Sequence, residues 1–164
     1  SAFDVFVLRQ WKEFGICNFT VPILGMLGDN GGWFSDGKRT LFGAPLFSER
    51  ARNLAGQYAR QFDEHWREAF PPQLRYFSYI YDEPAPKVYA ELNRLTGEIK
   101  RQAPDFRFFT PHTVDPELPH FTVFAVPFSF GYVKSELERG REIWYYNWPH
   151  PLDHHNYIKK RLYA

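Results

Sequence analysis

A single cysteine, Cys17, is all the thiol this 164-residue chain holds, so an intramolecular disulfide and a thiolate zinc cluster are both excluded. Set beside apolar Ile16, it is expected to be buried and inert. Charge of either sign is not in surplus: 20 Lys and Arg stand against 19 Asp and Glu, interspersed along the chain. Neither a nucleic-acid footprint nor a membrane-binding patch is therefore expected. A run of about 18 apolar residues that could span a bilayer is lacking, and so is a signal-peptide pattern. No GxGxxG follows any candidate strand, which argues against a dinucleotide-binding fold, and no repeat or low-complexity tract offers another architecture.

What the chain has in excess is rings. Aromatics make up 20% of it, with 17 Phe, 10 Tyr and 5 Trp, and they serve equally as core filling and as flat platforms for sugars. Phe3, Phe6, Val7, Trp11 and Phe14 recur at helical spacing over residues 2–14, and Gly15 is the stop signal. A strand follows over 18–24, then a polar loop with hairpin-turn chemistry at Asp36-Gly37 that carries Trp33 and Phe34. Ser48 is a good N-cap for a long amphipathic helix to about Ala69. Strands are expected over 74–81, 106–110, 121–126 and 142–146. Helices are expected from Pro84 to Pro104, over part of 135–139 and over 154–164.

Strands alternating with helices predict an α/β fold with a parallel sheet. Five strands are too few for a closed (β/α)₈ TIM barrel of about 250 residues. The expectation is a partial barrel: a single incomplete domain over 1–164, corresponding to about strands 3 to 7 of 8.

The central strand ends in Tyr79-Ile80-Tyr81-Asp82-Glu83-Pro84, two adjacent carboxylates at its C-terminal end, where parallel α/β folds build their sites. Successive strand residues face opposite ways, so both acids can address one ligand only if the chain leaves the strand between them. Two nearby carboxylates also resist double ionisation, which favours a general acid. The alternative is that Asp82 or Glu83 merely caps the helix opened by Pro84.

The block Phe77-Ser78-Tyr79-Ile80-Tyr81-Asp82-Glu83-Pro84, followed by Gly140-Arg141-Glu142-Ile143-Trp144-Tyr145-Tyr146 and Asn156, resembles the catalytic domain of glycoside hydrolase family 123. The similarity runs from about Pro45 to the C-terminus. It implies a (β/α)₈ barrel that cleaves N-acetylgalactosaminides by a retaining, substrate-assisted mechanism, with no cofactor. It also implies that Asp82 orients the acetamido group and that Glu83 acts as acid/base. Trp144 would wall the acetamido pocket and Tyr146 would donate to its carbonyl. A secreted or periplasmic location is what the resemblance would imply. Residues 122–127 keep only the Val-Pro ending of the family's sixth strand, which leaves the sugar open.

Further substrate-binding candidates are Tyr81, Trp33, His112 and Asn147, with Phe34 and Trp148 of similar standing. Each has a plainer role: Trp144 and Tyr146 as barrel-core aromatics, Trp33 and Phe34 as a buried satellite cluster, His112 as a solvated loop residue. His150 and His154 have metal-ligand spacing, but Pro149 and Pro151 break the helix that would align them, which argues against a metal. Two rival functions remain. One is a carbohydrate-binding or structural barrel domain without activity. The other is a two-carboxylate retaining glycosidase on another sugar, for which Asp115 and Glu117 are the available second acids.

Overall fold

The computed structural model describes residues 1–21, 40–126 and 133–145. Helix α1 (Ala2–Phe14) opens on a capping box between Ser1 and Asp4 and closes on Gly15 in the left-handed region, φ 69°. Strand β1 (Asn18–Thr20) follows. Strands β2 (Thr40–Leu41) and β3 (Ala44–Pro45) then form a small antiparallel hairpin that sequence patterning does not predict. Its two central residues, Phe42 and Gly43, both have positive φ, 53° and 73°. Helix α2 (Glu49–Ala69) starts at Ser48, whose hydroxyl accepts from the Ala51 N–H at 3.2 Å. Strand β4 (Arg75–Tyr79), a 3₁₀ turn (Pro86–Val88), α3 (Tyr89–Gln102), β5 (Phe108–Thr110), β6 (Phe121–Val126), α4 (Val133–Glu138) and β7 (Glu142–Tyr145) complete the described elements.

The five longer-range strands form a curled, parallel half-barrel sheet in the order β1-β4-β5-β6-β7. Apart from the hairpin, spatial order follows chain order, so the described sheet has no point at which strand order reverses, as a doubly wound fold would. Alternation sets two faces, with one break: a register irregularity between Phe108 and Phe109 puts Thr122 of β6 out of step, so that Phe121 shares a face with Phe124. On the outer face, Phe19, Tyr76, Ile80, Phe108, Phe121, Phe124 and Val126 pack with α2 and α3 into the main core. The opposite, inner face carries a smaller cluster of Phe77, Phe109, Val123 and Ala125, with Tyr79 and Trp144 packed against it. Burial on both faces explains why β5 and β6 are almost wholly apolar.

Rings dominate the α2 side of the core. Trp66 touches Phe3, Phe19, Phe62, Phe70 and Tyr76, and its indole N–H donates to the Leu74 carbonyl at 3.2 Å. Gly56 lies at the α2–α3 contact, where the end of the Gln102 side chain lies over it and would have to swing aside for a Cβ. Buried Glu136 on α4 accepts from Arg139 and from Arg141, each at 2.7 Å, which ties α4 to the start of β7.

Several expectations are corrected. Cys17 is exposed, because its apolar neighbour Ile16 lies on the same surface link between α1 and β1 and is itself 43% exposed. Pro84 does not open a helix: regular structure resumes at Pro86 and the α-helix only at Tyr89. The second half of the strand expected over 18–24, the turn at Asp36-Gly37 and the helix over 154–164 lie outside the described residues.

Candidate functional site

Strand β4 leaves the sheet at its C-terminal end, and the two acids sit at that exit. Tyr79, the last residue of β4, belongs to the inner face, and its ring meets Phe109 edge-on at 4.9 Å and 83°. Its hydroxyl donates to Asp82 Oδ1 at 2.6 Å. A side chain three residues downstream comes within reach because the chain has turned off the strand axis, and the half-buried Asp82 carboxylate is thereby held on the inner-face side.

Glu83 is exposed and has φ 42°, one of two non-glycine residues among those described with positive φ. A bulky side chain in that region is strained by about 1–3 kcal/mol, and such strain concentrates at sites. Buried Pro84 follows. Neither acid caps the next helix: the cap positions are Ala85 for the 3₁₀ turn and Val88 for α3, and neither makes a side-chain cap bond. Neither acid occupies a cap position, because the prolines delay the start of regular structure to Pro86.

Trp144 stands on the inner face, half-buried, in contact with Phe77 at 4.9 Å and Phe109 at 5.2 Å. It is thus two ring contacts from Tyr79. Ala125, its register partner on β6, leaves room for the indole. The indole N–H donates to Glu142 Oε1 at 2.7 Å, so Trp144 offers a ring surface with its donor already engaged. Glu142 Oε2 accepts from Arg107 and lies 3.6 Å from Arg75. These residues open β4, β5 and β7, so the ion cluster sits at the N-terminal end of the inner face, opposite the acids. Sequence reasoning missed both this cluster and Tyr79. Alternation puts Glu142 on the same strand face as Trp144, a signal that could have found it, but its arginine partners come from other strands.

Tyr81, expected to bind substrate, is only 3% exposed and packs in the main core with the helices. His112, half-buried in the loop after β5, is at the same end of the sheet as the acids. Its Nδ1 lies 2.7 Å from the Thr113 carbonyl, and its ring meets Tyr89 edge-on at 6.4 Å. The Tyr89 hydroxyl donates to Asp115 at 2.9 Å, and burial together with that carboxylate pushes the phenol up to about 12. Asp115 Oδ1 also accepts the Glu117 backbone N–H at 2.8 Å, so one oxygen ties the loop to α3 and the other serves the loop itself. Trp33, Phe34, Tyr146, Asn147, Trp148, His150 and His154 lie outside the described residues.

A polar cleft of about 370 Å³, lined by Glu49, Arg52, Asn53, Glu98 and Arg101, opens on the helical side between α2 and α3, away from the acids. Arg101 is already paired with Glu98 at 2.5 Å. Among the described residues no group of three or more His, Cys, Asp or Glu side chains is arranged to hold a metal ion. No protein-family model matches the chain and no curated protein matches it.

Proposed function

We propose that this protein is a glycoside hydrolase: a retaining, substrate-assisted β-N-acetylhexosaminidase acting on N-acetylgalactosaminides, whose sheet is strands three to seven of a (β/α)₈ barrel. The observation that carries the reading is the exit of β4, where half-buried Asp82 is held toward the inner-face rings while the next residue, Glu83, is exposed in a left-handed conformation. The chain has already left the strand after Tyr79 and turns again at Glu83, so the alternation that would aim consecutive strand residues apart does not apply to these two acids. The unreversed parallel strand order and the resemblance to glycoside hydrolase family 123 support the barrel.

In this mechanism the protein supplies no nucleophile. The acetamido oxygen of the bound sugar attacks its own anomeric carbon as the glycosidic C–O bond breaks, and Glu83 gives its proton to the departing oxygen. Asp82 accepts the acetamido N–H, which turns the amide oxygen toward the anomeric carbon and stabilises the positive charge of the cyclised intermediate. Water then opens that ring from the face the leaving group vacated and gives its proton to Glu83, which restores the acid and retains the configuration. Trp144 and other inner-face rings supply an apolar wall for the acetamido methyl group. A two-carboxylate mechanism would need a second acid about 5–5.5 Å across the bond, and Asp115 is already committed to Tyr89 and to its own loop.

The test is hydrolysis of an aryl and an alkyl N-acetyl-β-galactosaminide by the protein and two variants. Glu83→Gln should lower turnover of the alkyl glycoside, a poor leaving group, by about 10²- to 10⁴-fold and spare the aryl one more. Asp82→Asn should impair both. Wild-type rates in both variants, or sugar binding with no turnover in the parent protein, would refute the reading in favour of a non-catalytic carbohydrate-binding domain.

A further inference from the structure

We infer that Tyr79 is a positioning residue for Asp82, fixing which way that carboxylate faces and thereby tying the acetamido-orienting step to the inner-face ring cluster. This rests on the amino-sugar reading above and adds to it a residue that the motif resemblance does not assign a role.

Three observations converge on it. The Tyr79 hydroxyl donates to Asp82 Oδ1 at 2.6 Å, the short distance of an O–H bonded to a carboxylate. The ring that carries the hydroxyl is held in turn: Tyr79 meets Phe109 at 4.9 Å, Phe109 meets Trp144 at 5.2 Å, and Trp144 is anchored by its indole N–H to Glu142 at 2.7 Å. Third, Asp82 lies on a bend between a strand that has ended and a turn that has not begun, with strained Glu83 and then Pro84 after it. No regular backbone hydrogen-bond ladder fixes a side chain there, so the tyrosine supplies the orientation.

The consequence is chemical. A carboxylate that spends one oxygen on a fixed hydroxyl presents its other oxygen, Oδ2, in one direction, and a ligand amide N–H must approach along it. The acetamido group must be turned so that its oxygen faces the anomeric carbon, and a carboxylate free to rotate would hold it there only part of the time. Fixing it in advance removes that loss from the reacting complex.

Steady-state kinetics on an aryl N-acetyl-β-galactosaminide should therefore compare the parent with Tyr79→Phe, Asp82→Asn and the double variant. Tyr79→Phe keeps the ring against Phe109 and loses only the hydroxyl. It should lower kcat by about 10- to 100-fold, the weight of one hydrogen bond to a charged group, and leave KM within about threefold. Added to Asp82→Asn it should cost nothing more, since its effect runs through that carboxylate. Replacing Tyr79 by 4-aminophenylalanine, which keeps a ring donor, should restore most of kcat, and this variant also serves if Tyr79→Phe does not fold. The inference alone is overturned if Asp82→Asn is crippled while Tyr79→Phe is normal. It is likewise overturned if Tyr79→Phe lowers the Asp82→Asn rate by the same factor as the parent rate, or if the amino analogue is as slow as Phe. Wild-type turnover in Asp82→Asn would overturn the amino-sugar reading and this inference with it.

Discussion

The strand that delivers the acids is fastened to the long helix by one buried hydrogen bond, and removing it should measurably loosen the fold. Tyr76 on β4 and Asp63 on α2 are each 6% exposed, and the tyrosine hydroxyl donates to Asp63 Oδ1 at 2.6 Å. Tyr76→Phe keeps the ring contacts to Phe62, Trp66 and Phe106 and deletes only the hydroxyl. Asp63 still has Arg67 at 2.6 Å, so it is not left unpaired. The loss is then that of a hydrogen bond to a charged group, about 1.5–3 kcal/mol. For a chain of this size that corresponds to a fall in Tm of roughly 4–8 °C. Asp63→Ala strands the buried tyrosine hydroxyl instead, at about 1–3 kcal/mol, and the exposed Arg67 keeps Asp105 at 2.8 Å. Because each single change already destroys the same bond, the double variant should cost about 1 kcal/mol or more less than the sum. Urea unfolding followed by tryptophan fluorescence, with slopes compared to check for unchanged cooperativity, gives all three values. A Tyr76→Phe midpoint indistinguishable from wild type, or strict additivity in the cycle, would show that the bond does not hold β4 to α2.

Alkaline stability should expose the same chemistry. Burial, with the Asp63 bond adding to it, pushes the Tyr76 phenol far above its ordinary value, and burial beside Asp115 pushes Tyr89 up to about 12. Between pH 10 and 12 the unfolded chain loses these protons and the folded one keeps them. The stability they contribute is thus whole below pH 10 and falls as pH rises, by about 1.4 kcal/mol per unit for each tyrosine. Urea midpoints at pH 9 and 11 should show the fall, and Tyr89→Phe should remove one tyrosine's share of it. Strain at Glu83 gives the remaining test. Relief of a left-handed residue, about 1–2 kcal/mol, outweighs the extra freedom glycine has when unfolded, about 0.5–1 kcal/mol, so Glu83→Gly should unfold at higher urea than Glu83→Ala. Equal midpoints would mean that the φ of 42° carries no cost.

Helix ends were legible wherever a single local signal decides them. Ser48 and Gly15 each mark a boundary through their own side chain or its absence, and α2 begins and α1 ends where those residues say. Strand β6 was equally readable, because five of its six residues are buried and only Thr122 interrupts an apolar run. The hairpin at 40–45 was not: its strands have two residues each, too short for alternation to show, and an aromatic such as Phe42 at a positive-φ position is no turn signature. Proximity in sequence misled in two places. Cys17 inherits no burial from Ile16 when the whole link faces solvent, and Pro84 starts no helix when Pro86 is better placed at its first position.

At the site, the same division separates what could be read from what could not. That two acids end a central strand follows from pattern, but that Asp82 points inward depends on how far the chain swings as it leaves β4, and no periodicity encodes that angle. It is set by long-range packing: Phe109 and Trp144, from two other strands, fix the Tyr79 ring, and the ring fixes the carboxylate. Residues 30 and 65 positions downstream of Tyr79 thus decide the orientation of a side chain three positions away. A substitution at Phe109 that leaves the sheet intact should therefore disturb Asp82 before it disturbs stability, because the outer-face core that holds β5 to the helices is a separate cluster.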